Sequence, residues 1–329
     1  MDAISEERTN DSLMKISFTL FFLVICCTSS ILKGQSPSDT LHLSIQEAEK
    51  RFIDSNYLLL ASRYNVDAQK ALTEQARLWD NPVLNTDQVL MANGKAFPYG
   101  KNPDGSYSGQ YFIQVQQLIK TAGKRGKLMH LSNTNVKISE WELQDVLRNL
   151  RYQLHIDYYT ISQQLTVLQV YREQQNQLTK LLNGMQAELQ EGNIARKDYI
   201  RLQALQLSLQ QDMTDLQKNI ADNETDLKTL LSVTGNQFIV PTDPLPVQAA
   251  DVPGMDSITR AGQTNNPYYQ LQVTQTLFQQ QNLSYQKALR VPDITLGPNF
   301  DRNSNFAPNY IGLGISLPLP LLNKNQGNI

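Results

Sequence analysis

Apolar positions between residues 123 and 234 follow the spacing of a coiled-coil seam. They recur every three or four residues, and polar residues, many of them Gln, lie between them. The seam consists of Leu143, Leu147, Leu150, Leu154, Tyr158, Ile161, Leu165, Leu168, Leu178, Leu182, Met185, Leu189, Leu202, Leu205, Leu209, Met213, Leu216, Ile220, Leu227 and Leu230. The pattern is interrupted at Glu191, Gly192 and Asn193, which predicts two very long helices joined by one sharp turn. An arm of about 60 residues would extend roughly 90 Å, which suits spanning a distance.

The polar face of these helices allows two interpretations. A Gln-rich surface with little charge is typical of a solvated coiled coil. It also suits the wall of a water-filled tunnel. The composition by itself favours the first interpretation, and both stay open at this stage.

Four shorter segments alternate between apolar and polar residues and predict β-strands at 83–91, 110–118, 293–300 and 310–317. In the last of them, Ile311, Leu313 and Ile315 share one face with Leu317. Strands of about 9–11 residues with one apolar face suit the wall of an outer-membrane barrel, and they also suit a half-buried antiparallel sheet. Because small barrels need about eight strands, closure would require several chains.

The chain also repeats one order of elements. Asn56 and Asn266 each begin a helical stretch that leads to Pro82 or Pro292, and a strand pair and a basic Gly turn follow. The first of these stretches is predicted to be part of one longer helix over 44–79, which begins with a capping box.

This repeat predicts four segments. They are an N-terminal extension and signal peptide at 1–35, a first repeat at 36–240, a Pro-rich connector at 241–256 and an incomplete second repeat at 257–329. The second repeat stops where the first enters its long hairpin, so we expect the chain to be truncated at its C-terminus. A natural short variant is the alternative.

The N-terminus predicts export. Lys15 is followed by about a dozen mostly apolar residues, the pattern of a secretory signal, with Met14 as the natural start and cleavage near 29–35. An N-terminal membrane anchor is the alternative, and lipid attachment at Cys27 fits poorly because Cys26 precedes it.

The composition and the residue spacings give few signs of a catalytic, metal or nucleic-acid site. The net charge of −2 gives no reason to expect nucleic acid as a partner. His42, His130 and His155 are scattered, so no metal-ligand spacing is present and we expect no metal. We expect no cofactor either, and no nucleophile and base pair indicates an enzyme. The turn from Gly123 to Gly126 lacks the spacing of a phosphate-binding loop.

Several motifs in a fixed order resemble the TolC-type outer-membrane efflux protein family, near its cation and multidrug branch. They run from Asn56 to Pro82, then to the turn at 123–126 and the hairpin apex at Gly192. The second copy contributes Val291-Pro292-Asp293 and Leu317-Pro318-Leu319-Pro320-Leu321-Leu322-Asn323-Lys324-Asn325-Gln326-Gly327.

The resemblance implies an α+β membrane protein, with a long α-helical coiled-coil hairpin and β-strands that contribute to a trimeric outer-membrane β-barrel. It implies a homotrimer in the cell outer membrane, in contact with its lipid and with a periplasmic extension. The implied protein partners are a periplasmic adaptor (membrane fusion) protein and an inner-membrane efflux pump.

The same resemblance implies site residues. The hairpin tip, Gly192, Asn193, Ile194 and Ala195, would meet the adaptor, and Asp198 would act as a gate contact. The alternative for Asp198 is an ordinary acidic residue in the first turn of a helix, which the helix dipole favours.

The leading hypothesis is a duct that passively conducts small molecules or metal ions from the periplasm to the exterior. The alternative is a periplasmic coiled-coil adaptor or scaffold without a barrel. The sequence leaves the cargo, the pump and lipid attachment open.

Overall fold

The computed structural model describes residues 40–92, 94–105, 107–245, 253–303 and 307–329. Its helices are α1 (Ile45–Ser55), α2 (Tyr57–Arg77), α3 (Lys124–Gln190), α4 (Arg196–Leu230), α5 (Met255–Asn265) and α6 (Pro267–Leu289), with a 3₁₀ turn at Gln326–Asn328. Its strands are β1 (Thr40–Leu43), β2 (Val83–Gln88), β3 (Met91–Ala92), β4 (Lys95–Ala96), β5 (Gly100–Lys101), β6 (Tyr107–Ser108), β7 (Tyr111–Ile119), β8 (Phe238–Pro241), β9 (Ile294–Asn303) and β10 (Pro308–Ser316).

The chain forms two compact units. The first combines Met1–Asp54 with Leu154–Val247, and the second combines Ser55–Gln153 with Gln248–Ile329. These units cut across the predicted repeats, so the repeat boundaries stay a prediction. The predicted signal peptide and both cysteines lie outside the described residues, as does part of the predicted connector.

The predicted hairpin is confirmed, but its arms are unequal. The helix α3 has 67 residues and α4 has 35, so the second arm is shorter than the expected length of about 60 residues. The seam is confirmed where Leu168, Met213 and Ile220 form a buried cluster within the first unit. Burial of the seam stabilises two helices whose polar faces contribute little.

The predicted helix 44–79 is wrong in one respect, because it is two helices. Asn56 has an extended backbone, with φ −68° and ψ 119°, which ends α1. Its side-chain oxygen then accepts from the main-chain N–H groups of Leu58 and Leu59, and so caps α2. The capping box is confirmed, since the Glu47 carboxylate accepts from the Ser44 main-chain N–H at 2.9 Å.

A short parallel strand pair in the first unit escaped sequence analysis. The strands β1 and β8 pair from Thr40 with Phe238 to Leu43 with Pro241. The buried carboxylate of Glu224 accepts from the main-chain N–H of Ile239 at 2.9 Å, which ties β8 to α4.

The four predicted strands form one antiparallel sheet in the second unit, in the order β10-β9-β7-β2. The first is shorter than the predicted 83–91, because it ends at Gln88 and Met91 pairs in the separate hairpin β3–β4. Each predicted repeat contributes two strands, and β7 pairs with β9, with Ile113 opposite Phe300. The sheet is open in the single chain, with β2 and β10 at its edges.

A buried ion pair lies at the start of α3. The Lys124 ammonium is 2.7 Å from the Asp293 carboxylate, with only 5% of the lysine side chain exposed. Burial of Asp293 opposes its charge, but Lys124 and the main-chain N–H of Thr121 outweigh this and hold its pKa below the ordinary value. This pair links the basic turn of the first repeat to the second repeat.

Within the described residues, no helix has both the length and the apolar character needed to cross a bilayer.

Candidate functional site

The turn between α3 and α4 is a Schellman motif built on Gly192. Gly192 has φ +82°, a left-handed conformation that glycine adopts without strain. Its N–H donates to the Leu189 carbonyl at 3.1 Å, and the Asn193 N–H donates to the Glu188 carbonyl at 2.9 Å. The predicted apex is therefore confirmed as a turn. The chain reverses its direction there at one left-handed glycine.

Polar contacts replace the apolar contact that often accompanies this motif. The Asn193 side-chain amide donates to the carboxylates of Glu188 at 2.7 Å and Glu191 at 3.1 Å. Ile194 is half-buried, and Ala195 precedes α4 without a side-chain cap. The tip thus has its main-chain turn held by hydrogen bonds and exposes polar groups.

Asp198 lies in the first turn of α4, close to the tip. Its side chain is 47% exposed, and its carboxylate is 3.7 Å from the Arg201 guanidinium. This position fits the ordinary role of an acidic residue at a helix N-terminus. The gate role stays a prediction, because a gate would involve contacts beyond this chain.

Several charges at the tip oppose the helix dipoles. Glu188 and Glu191 lie at the C-terminal end of α3, and Arg196 and Lys197 open α4. A helix favours cations at its C-terminus and anions at its N-terminus, each by about 0.3–1 kcal/mol. These four exposed charges therefore destabilise the isolated hairpin slightly, which is typical of a functional surface.

Above the tip, a groove of about 550 Å³ runs between the two helices of the hairpin. Leu178, Leu181, Leu205 and Leu209 contribute to its lining, together with Asp212. Leu181 is 52% exposed and Leu205 is 56% exposed. This part of the seam therefore presents apolar surface to the exterior of the chain.

The four-stranded sheet has two chemically distinct faces, which follow from the strand register. The apolar face consists of Leu84, Thr86, Gln88, Tyr111, Ile113, Val115, Gln117, Ile119, Ile294, Leu296, Pro298, Phe300, Ile311, Leu313 and Ile315, with the charged Arg302 at its end, over the ring of Tyr111. The polar face consists of Val83, Asn85, Asp87, Phe112, Gln114, Gln116, Leu118, Thr295, Gly297, Asn299, Asp301, Tyr310, Gly312, Gly314 and Ser316.

The apolar face is largely uncovered in the single chain. Ile311 is 78% exposed, Leu313 is 64% exposed and Ile315 is 68% exposed. An exposed apolar surface of this extent indicates a membrane or protein contact.

Sequence analysis missed a buried polar cluster in the first unit. It placed Tyr158 in the seam as a packing residue, but the Tyr158 hydroxyl lies 2.8 Å from the Leu43 carbonyl and 2.9 Å from the Asp243 carboxylate. Asp243 lies between Pro241 and Pro244, inside the Pro-rich segment that was interpreted only as a connector. No local pattern pairs residues that are 85 positions apart.

Among the described residues, no group of three or more His, Cys, Asp or Glu side chains is arranged to hold a metal ion.

Comparison with solved structures identifies the fold. A crystal structure of CusC, described in terms of folding and transmembrane channel formation, is 15% identical, with 91% of this chain and 71% of that chain covered and a TM-score of 0.67. A membrane protein from Pseudomonas aeruginosa is 12% identical, with 88% and 70% covered and a TM-score of 0.68. The CmeC outer membrane channel of Campylobacter jejuni is 12% identical, with 86% and 63% covered and a TM-score of 0.67.

A search of curated protein sequences gave no match. The sequence model of the family described as "Outer membrane efflux protein" matches residues 50–233, which are more than half of the chain. This segment includes the strand pair β2–β7 and the complete helical hairpin. The chain therefore belongs to the outer membrane efflux protein family.

Proposed function

We propose that this chain is the outer-membrane duct of a tripartite efflux system and passively conducts small molecules or metal ions to the exterior. The observation that carries the proposal is the sheet, whose register places apolar residues on one face and polar or small residues on the other. Such a sheet suits a wall with lipid on one side and water on the other.

The assembly in this proposal is a homotrimer in the cell outer membrane. Four strands leave β2 and β10 as open edges, and open edges expose unpaired main-chain N–H and C=O groups. Pairing of β10 with β2 of the next copy would close the sheet. A closed barrel leaves no strand edge with unpaired main-chain groups, and three copies would supply twelve strands.

The partners in this proposal are a periplasmic adaptor and an inner-membrane pump. The adaptor would bind at Gly192, Asn193, Ile194 and Ala195. The dipole-opposed charges of Glu188, Glu191, Arg196 and Lys197 support this, because a partner with complementary charges would relieve the unfavourable electrostatics of the free tip. Asp198 would take part in gating.

The alternative is a periplasmic adaptor or scaffold without a barrel. The sheet favours the duct, because both repeats contribute a strand pair to one surface with an uncovered apolar face. In an adaptor outside lipid, that face would need another protein layer to cover it.

The proposal is tested by expressing the full chain with its leader, separating the membranes and analysing the detergent extract. The duct predicts an outer-membrane fraction with trimers that dissociate only on heating, and pores when the trimers enter planar bilayers. A monomer released without detergent would support the adaptor or scaffold and contradict the duct.

A further inference from the structure

Side chains on the polar face lie flat against the sheet. The Gln114 side-chain amide donates to the main-chain carbonyl of Gly297 at 3.2 Å, and its oxygen accepts from the Gln116 amide at 2.7 Å. Gln114 is on β7 and Gly297 is on the adjacent strand β9. The amide of Gln114 therefore rests on the neighbouring backbone and is held there from two sides.

Two glycines make this arrangement possible. A β carbon on Gly297 would lie 2.9 Å from Nε2 of Gln114, and a β carbon on Gly314 would also lie 2.9 Å from it. Gly297 and Gly314 are partners in the register of β9 and β10. Gln114 thus crosses two strands, and both positions require glycine for the amide to stay in place.

A third glycine on the same face has a similar environment. A β carbon on Gly312 would lie 2.6 Å from the ring of Tyr310 and 2.5 Å from the side-chain oxygen of Asn299. Long or planar side chains therefore cover glycine positions at more than one level of the sheet. This keeps the surface shallow although it carries large polar residues.

We propose that Gly297 and Gly314 keep the free width of the conduit at this level, because they let the Gln114 amide lie flat against the wall. This inference rests on the proposed duct and adds two glycine positions that determine which solutes pass. If the amide were lifted from the wall, it would project into the lumen. In a symmetric assembly, each copy would project the same amide at the same height, so the narrowing would be multiplied.

The chemistry of this level indicates the class of solute. Gln114 and Gln116 offer neutral amides, which can exchange hydrogen bonds with water or with a hydrated solute. Neutral groups lying in the wall discriminate by size more than by charge. We therefore infer that this level limits the size of hydrated cargo and contributes little charge selectivity.

The test uses full-chain trimers in planar bilayers, with neutral polyethylene glycols of graded size added to the side of the β2–β7 loop. We expect Gly314→Ala to lift Gln114 and to shift the entry limit to a smaller polymer. The double variant Gly314→Ala with Gln114→Ala should restore the wild-type limit. Gly184→Ala, a substitution in the hairpin helix α3, should leave this limit unchanged.

Gln114→Ala alone gives an independent test that does not depend on folding of the glycine variant. If the amide lies in the wall, its removal leaves the entry limit unchanged, whereas a wider limit would overturn the inference. An unchanged limit in Gly314→Ala trimers that conduct would also overturn it, with the duct intact. Wild-type trimers that form no pores would instead contradict the proposed function.

Discussion

The hydroxyl of Tyr158 lies 2.9 Å from the carboxylate of Asp243, and the two residues connect α3 with the segment after β8. The same carboxylate accepts from the main-chain N–H of Ile45 at 2.5 Å, at the first residue of α1. The main-chain N–H of Thr242 also donates to the Tyr158 hydroxyl, at 3.1 Å. One buried phenol therefore organises the point where β1, α1 and the end of β8 meet α3.

This cluster predicts a large effect of Tyr158→Phe on stability. The substitution removes the buried hydroxyl and its contacts with the Leu43 carbonyl and the Asp243 carboxylate, and losing a hydrogen bond to a charged group costs about 1.5–3 kcal/mol. The free energy of unfolding, measured in urea with detergent present, should fall by this amount. The matched control is Tyr152→Phe on the same helix, because Tyr152 is 68% exposed. An equal effect of both substitutions would contradict the role assigned to the cluster.

The same residue predicts a pH dependence. Burial raises the pKa of Tyr158 above its ordinary value of 10.0, because the phenolate is disfavoured inside the unit. The folded state holds this proton more tightly, so the stabilisation is fully present below pH 10 and is lost as the pH rises through the folded pKa. We expect the stability difference between wild type and Tyr158→Phe to shrink above pH 10. The thermal midpoints of both proteins, measured from pH 7 to 12, would refute this if the difference stayed constant.

Two glycines of the hairpin predict opposite effects of one substitution. Gly192 has φ +82°, so Gly192→Ala forces a left-handed alanine at a cost of about 1–2 kcal/mol. Gly184 is inside α3 with open space around it, so Gly184→Ala should stabilise by about 0.5–1 kcal/mol. Thermal unfolding followed by circular dichroism measures both. If the two variants changed stability in the same direction, the turn would not depend on Gly192.

The ion pair at the start of α3 predicts that Lys124→Met destabilises the protein by about 1–3 kcal/mol, because the Asp293 carboxylate, 25% exposed, loses its cation and keeps the main-chain N–H of Thr121. The control is Lys120→Met, since Lys120 pairs with Asp80 at 3.0 Å with 30% and 37% of the side chains exposed. An exposed pair contributes at most about 1 kcal/mol. Urea midpoints of the detergent-solubilised variants distinguish the two, and similar losses would show that the buried pair has no special role.

Much of this fold could be predicted from local patterns. The seam spacing gave the hairpin, the alternation gave the four strands, and Asn266 was identified as the start of a helix. These features depend on neighbours within a few residues, where periodicity and capping act. The break between α1 and α2 was missed because the apolar spacing continues across Asn56, although its side chain caps the second helix.

The rest depended on contacts between distant residues. The pairing of β1 with β8 and the link from Tyr158 to Asp243 join segments far apart in sequence, and no local pattern encodes such partners. The flat position of Gln114 could be predicted only in part. Glycines in alternate strand positions were visible as small residues on one face, but the amide that covers them lies on another strand.

The central claim is that one face of the sheet meets lipid and the other meets water, and single-cysteine spin labelling tests it most directly. Nitroxides are placed on trimers in liposomes, and their collision rates with oxygen and with a water-soluble nickel chelate are measured. The account predicts oxygen contact at apolar-face positions and chelate contact at polar-face positions, tested at Ile113, Val115, Ile311 and Leu313 against Gln116, Tyr310 and Ser316. Chelate access at both sets, or the absence of alternation along β10, would contradict it.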